Sequence, residues 1–207
     1  MDTDIRFVYF DLGNVIVNFD HNLACKNIGK VVGLPADAVR SIVFDSGLEL
    51  DYERGELSDD EVCEKFCDAA GVRVATDDLL FALSDIFQLN SGVLSIITQL
   101  RVSNVQLGVL SNTCSAHWNH CWDRYTILRN AFSKYALSFE LGCLKPDAEI
   151  YEKSLQLAGV PAEQIVFIDD RLENVAGAEA AGWTAIQFHD AHQLHAELRS
   201  QKLLPCL

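Results

Sequence analysis

Five apolar, β-rich runs punctuate the chain, at residues 7–10, 105–110, 137–139, 165–168 and 184–188. Between the later ones, at 148–158 and 174–181, apolar positions recur with a period near 3.6. That period marks helices burying one face. Strands alternating with such helices predict βαβ units and a mostly parallel sheet covered on both faces, an α/β fold with a three-layer, Rossmann-like core. Gly159 is placed to end the 148–158 helix, and Pro161 prevents its continuation.

The stretch from about 21 to 90 breaks this rhythm and reads as all-helical. Ser58-Asp59-Asp60-Glu61 is a capping-box pattern, followed by Val62, Phe66 and a Gly71 stop. Pro35 precedes a second helix over 36–44, and Thr76-Asp77 starts a third. The expected organisation is a core from 1–18 and 92–207, with a helical subdomain, 19–91, inserted after the first strand. The alternative has these helices packing directly on the sheet.

With 207 residues, 49% of them apolar and 22% charged, the chain has enough material for one sizeable core plus a modest insertion. A net charge of −14 makes a phosphate backbone a poor partner, so no nucleic acid is expected. A small phosphorylated metabolite stays open, because one metal ion and one lysine reverse the field locally. Met1-Asp2-Thr3-Asp4-Ile5 carries acids where a signal peptide carries bases, and no run has membrane-spanning length. Seven cysteines without secretory features read as reduced thiols in a cytosol. The expectation is a cytoplasmic protein with no membrane partner, a monomer or weak dimer.

Four short motifs each lie just past a predicted strand. Asp11 comes directly after Phe7-Val8-Tyr9-Phe10, at the strand end where open α/β sheets carry chemistry. Ser111-Asn112-Thr113 ends the second strand with groups that can hold an oxyanion, while Ser111 could equally cap the next helix. In Leu144-Lys145-Pro146-Asp147 the proline biases Lys145 towards extended backbone, and Asp147 is placed to cap the 148–158 helix. Asp169-Asp170 ends the run Ile165-Val166-Phe167-Ile168, with Asn174 beyond. Two adjacent carboxylates near a core repel each other, a cost that a divalent cation such as Mg²⁺ removes.

In this order and spacing the four motifs resemble the haloacid dehalogenase-like (HAD) hydrolases, and the likeness covers nearly the whole chain, including an all-helical cap after the first strand. The wording FDLGNVIV, LSNT, LKP and DDRLEN is most similar to a bacterial branch of sugar-phosphate phosphatases that includes α-D-glucose-1-phosphate phosphatases. The resemblance implies that Asp11 attacks phosphorus and forms an aspartyl-phosphate that water hydrolyses. It implies Mg²⁺ held by Asp11, the Gly13 carbonyl and Asp170, with Asp169 and Asn174 in support. Ser111 and Asn112 would bind the phosphoryl oxygens, and Lys145 would offset their charge.

The chain departs from that pattern at Gly13, where most phosphatase members carry an acid that protonates the leaving group. Such help is typically worth ~10²–10⁴-fold. The expected substrate therefore has an acidic leaving group, such as the anomeric oxygen of a glycosyl-1-phosphate, or supplies its own acid. Two alternatives fit Gly13: a metal-independent 2-haloacid dehalogenase, and a catalytically weak member that binds a phosphorylated ligand.

Three further features carry weaker signals. Cys114-x2-His117-x2-His120-Cys121 has zinc-like spacing, but Trp118 and Trp122 favour a helix packing its aromatic face. His117 is expected close enough to the site to touch a substrate. Cys63 and Cys67 read as core thiols, and Arg54 as an exposed arginine or a contact for a polar substrate group.

Overall fold

The computed structural model describes residues 5–103 and 105–204. The strands are β1 (Phe7–Phe10), β2 (Val17–Asn18), β3 (Gln88–Leu89), β4 (Gln106–Ser111), β5 (Lys134–Leu137), β6 (Ile165–Asp169) and β7 (Thr184–Gln187). Five of them form one parallel sheet in the order β5-β4-β1-β6-β7. β1 therefore lies in the middle, flanked by later strands, which is the switch point where open α/β sheets bind ligands. Registers Phe10↔Val109 and Phe10↔Ile168 bring the ends of β4 and β6 level with Asp11.

Side-chain alternation along β1 divides the core between the two faces of the sheet. Val8 and Phe10 belong to one apolar cluster and Phe7 and Tyr9 to the other, all fully buried. A strand covered on both faces reads as a continuous apolar run, which is why β1 and β6 stand out in the sequence. Full burial of each such side chain contributes roughly 1.5–3 kcal/mol. Gly108 on β4 is small for a packing reason: a Cβ there would lie 2.5 Å from a ring carbon of Tyr9.

The helices are α1 (His21–Val32), α2 (Ala36–Arg40), α3 (Leu48–Glu53), α4 (Asp59–Ala70), α5 (Thr76–Ser84), α6 (Ser91–Val102), α7 (Ser115–Arg124), α8 (Thr126–Ala131), α9 (Ser138–Leu141), α10 (Ala148–Ala158), α11 (Leu172–Ala180) and α12 (Ala191–Ser200). α1 to α5 all fall between β2 and β3, which pair antiparallel as a two-stranded ribbon. The Ser58–Glu61 capping box forms, and Gly71 and Gly159 end their helices in left-handed conformation. Among the described residues no helix is long and apolar enough to cross a membrane. The six described cysteines are free and buried, and Cys206 lies outside the described residues.

Several local expectations need correction. The strand expected at 137–139 is Lys134–Leu137, and 138–141 turn helical. Its polar start hid it: Lys134 is exposed at the sheet edge, while Ser138 turns inward to bond the backbone. The helix expected at 36–44 is α2 followed by a π-helical turn, Ser41–Asp45. Asp147 stands at the cap position of α10 without a capping hydrogen bond. Ser111 does not cap α7 either, since Cys114 holds that position.

Candidate active site

The ends of β1, β4 and β6 and the loop before α10 converge on Lys145, which is 5% exposed. Its ammonium lies 2.9 Å from Asp11 Oδ1 and 2.7 Å from Asp169 Oδ2, and it donates to the Leu110 carbonyl at 3.0 Å. Burial pulls Lys145 down, but the two carboxylates more than offset it and hold the amine above its ordinary range. Burial pushes the Asp11 carboxyl up, against the pull of Lys145. Charges buried this deeply are tolerable only because each is paired and hydrogen-bonded.

Asp169 is saturated. Its oxygens accept from Lys145, from the Asn174 side chain at 3.0 and 3.1 Å, and from the Arg171 N–H at 2.9 Å. Tyr151 in turn donates to the Asn174 carbonyl at 2.7 Å, fixing that residue. On Asp11, Oδ1 is taken by Lys145 and by the Leu12 N–H, so Oδ2 is the oxygen left for chemistry. Asn14, in left-handed conformation at φ 54°, donates from its side chain to Asp170 Oδ2 at 3.1 Å. One oxygen each from Asp11, Asp169 and Asp170 lies within 4.8 Å of the other two. An all-oxygen set of this kind fits a hard divalent cation such as Mg²⁺. Because the Asp169 oxygens are engaged, Asp11 and Asp170 are the side chains available to hold it.

Asn112 lines the cleft of this site and also makes a contact the sequence did not suggest. Its side chain donates to the Lys145 carbonyl at 3.0 Å and accepts the Lys145 N–H at 2.8 Å. It clamps the lysine backbone with one of its two amide hydrogens and its oxygen. Ser111 is buried beside it, with its hydroxyl on the Asn112 carbonyl at 3.2 Å.

These groups open into a cleft of about 370 Å³ lined by Asp11, Asn14, Lys145, Asp170, Arg171 and α3 residues. Sequence reasoning missed the α3 side: Glu49 and Glu53, one turn apart, both face the cleft. With His117 they form a second group whose ligand atoms lie within 4.8 Å of one another. Burial pushes Glu49 up to about 8, with the Glu53 charge adding to it. Burial pushes Glu53 up to about 7, against Lys145 and Arg171. Burial pulls His117 down to about 4, so its ring is neutral. Glu53 sits next to Arg54, which the sequence singled out instead; Arg54 faces outward, 3.6 Å from Glu56. The i, i+4 spacing of the two glutamates was the available signal.

The zinc-like run on α7 comes apart. Neither metal-competent group among the described residues contains Cys114, His120 or Cys121. His120 lies 3.9 Å from Asp85, while Trp118 and Trp122 pack on Tyr135 with ring centroids 5.3 Å away. His117 alone reaches the site, as expected, lining a recess with Gly13 and Ser111.

Similarity to known proteins agrees with this architecture. The chain is 26% identical over 202 residues to a D-ribitol-5-phosphate phosphatase of Bacteroides thetaiotaomicron, covering 94% of this chain and 97% of that one. It is 26% identical over 210 residues to the drimenol cyclase drtB of Aspergillus calidoustus, of which it spans only 36%. A crystal structure of a HAD family enzyme of Bacteroides thetaiotaomicron, in complex with magnesium and inorganic phosphate, superposes with a TM-score of 0.81 at 23% identity. That superposition covers 90% of this chain and 95% of that one. The model of the haloacid dehalogenase-like hydrolases matches residues 5–182, and the chain belongs to that family.

Proposed function

We propose that this protein is a Mg²⁺-dependent phosphatase acting on a small phosphate monoester through an aspartyl-phosphate on Asp11. The observation that carries the reading is Asp11 at the end of the central strand, with Lys145 2.9 Å away and Asp169 behind it. Asp11 Oδ2 is the nucleophile, and Lys145 lowers the repulsion between it and an incoming phosphoryl group. Ser111 and Asn112, which line the recess beside Gly13, would hydrogen-bond the phosphoryl oxygens. Asp11, Asp170 and the Gly13 carbonyl would hold Mg²⁺, which would supply positive charge to those same oxygens. Asp169 and Asn174 hold Lys145 in place. The ribitol-phosphate phosphatase and the magnesium–phosphate complex among similar proteins support this chemistry.

For the substrate we infer a sugar phosphate, with residues 19–91 forming the cap that recognises it. A glycosyl-1-phosphate is the member whose leaving oxygen least needs a proton, which suits Gly13. The test is a panel of metabolite phosphates assayed for phosphate release with Mg²⁺ and with EDTA. Turnover should need Mg²⁺ and fall on the order of 10⁴-fold or more in Asp11→Asn. Phosphate release that survives Asp11→Asn, or none from any ester, would sink the reading. Halide release from haloacetates in the presence of EDTA would favour a dehalogenase instead.

A further inference from the structure

Resting on the phosphatase reading, we propose that Glu53, paired with Glu49 and His117, is the group that protonates the leaving-group oxygen in place of an acid at position 13. A side chain at position 13 would have to displace a ring. A Cβ on Gly13 would lie 2.8 Å from a ring carbon of Phe19, so that ring fills the space a side chain would need. Phe19 is tied into an aromatic wall, its centroid 4.9 Å from His21 and 5.9 Å from Phe87, and Phe87 meets His117 edge-on at 5.1 Å.

Behind Gly13 the cleft continues into a recess of about 40 Å³ lined by Gly13, Ser111, His21, Glu49, Glu53 and His117. The phosphoryl-binding groups and the two glutamates thus share one small space. His117 is 5% exposed, and its Nε2 is buried without a hydrogen-bond partner, while its ring bonds the Leu83 backbone. A neutral imidazole with Nε2 unpaired is an acceptor waiting for a donor proton. Two carboxyls in one buried site share a proton rather than both ionising, as paired acids do in other hydrolytic sites. The charged and titratable groups facing them are His21, 3.9 Å from Glu49, together with His117, Cys114, Lys145 and Arg171.

α3 is held over the site by specific contacts. Ser138 donates to the Glu53 carbonyl at 2.6 Å and accepts the Thr113 N–H at 2.9 Å, linking α3 to the loop after β4. Gly55 permits this approach, since a Cβ there would lie 2.2 Å from the Phe139 carbonyl oxygen. Tyr52 reaches across to accept the Ala116 N–H at 3.3 Å.

The proton balance closes over both half-reactions. As the Asp11–phosphorus bond forms and the ester P–O bond breaks, the Glu53 carboxyl gives its proton to the departing oxygen, releasing the alcohol. The Glu53 carboxylate then takes a proton from the water that attacks the aspartyl-phosphate, releasing phosphate and restoring Asp11 and Glu53.

The test compares kcat/KM for p-nitrophenyl phosphate, whose phenolate leaves without help, with that for a primary alkyl phosphate, whose alkoxide does not. In Glu53→Gln the ratio of the two should rise by ~10²–10⁴-fold, and Glu53→Asp should bring it part of the way back. A ratio that stays at the wild-type value, because both substrates fall together or neither falls, overturns the proposal. If Glu53→Gln does not fold, the wild-type enzyme decides. Its ratio should climb as pH rises through about 7 to 8, where the pair loses its proton, and a flat ratio overturns the proposal. Wild type that hydrolyses neither ester with Mg²⁺ overturns the phosphatase reading itself.

Discussion

Two clusters of the same make-up face each other across one cleft, each with two carboxyls and a nitrogen base. On the sheet side, Asp11 and Asp169 grip Lys145. On the α3 side, Glu49 and Glu53 accompany His117. A lysine in direct contact pulls against burial, which still leaves the Asp11 carboxyl raised to about 7. A buried, neutral imidazole supplies no such charge, and Glu49 beside it is raised further, to about 8. What separates the two sets is bonding and place: Asp11 and Asp169 share the Lys145 ammonium, while Glu49 and Glu53 reach into the cleft from α3.

The largest way to break the contrast is to take away that charge. Lys145→Met leaves Asp11 and Asp169 buried and uncompensated, and should cost ~3–5 kcal/mol of stability, read by chemical denaturation of metal-free protein. A melt equal to wild type would mean that the sheet-side pair does not depend on the lysine. A smaller effect is expected at the boundary between the clusters. Gly13→Asp should lose roughly 1–3 kcal/mol through overpacking against Phe19, and Phe19→Leu in the same chain should recover most of it. Equal stability of Gly13→Asp and wild type would show that Phe19 yields freely.

The smallest effect comes from the α3 side and has a definite sign in pH. Glu49 is raised to about 8 by burial and then by Glu53. A raised carboxyl adds stability that is complete below its ordinary value and is lost as pH rises through its folded value. Wild type without metal should therefore melt lower at pH 8 than at pH 5. Glu49→Gln should flatten that slope, melting a few degrees above wild type at pH 8 and gaining less at pH 5. Parallel pH slopes in the two proteins would mean that Glu49 is not held protonated.

How much of this was legible depends on where each residue lies. Asp11, Ser111 and the Asp169-Asp170 pair each end an apolar run, so the strand pattern alone located them at one sheet edge. Lys145 was legible through Pro146 and through motif order. The role of Asn112 was not, because a side chain that clamps a backbone 33 residues away leaves no local trace. Glu49 and Glu53 were hidden for a related reason. Leu48-Glu49-Leu50-Asp51-Tyr52-Glu53 mixes acids with apolar residues as a solvated helix does. The i, i+4 spacing puts both glutamates on one face but does not say that this face turns inward.

The parallel sheet and the line of groups at the strand ends follow from short-range patterns, because burial on both faces and strand-end position are written there. Only the tertiary structure decided what surrounds Gly13. Phe19, His117 and the two glutamates come from separate elements, and it is their docking that fills the gap with a ring and brings two carboxyls beside it.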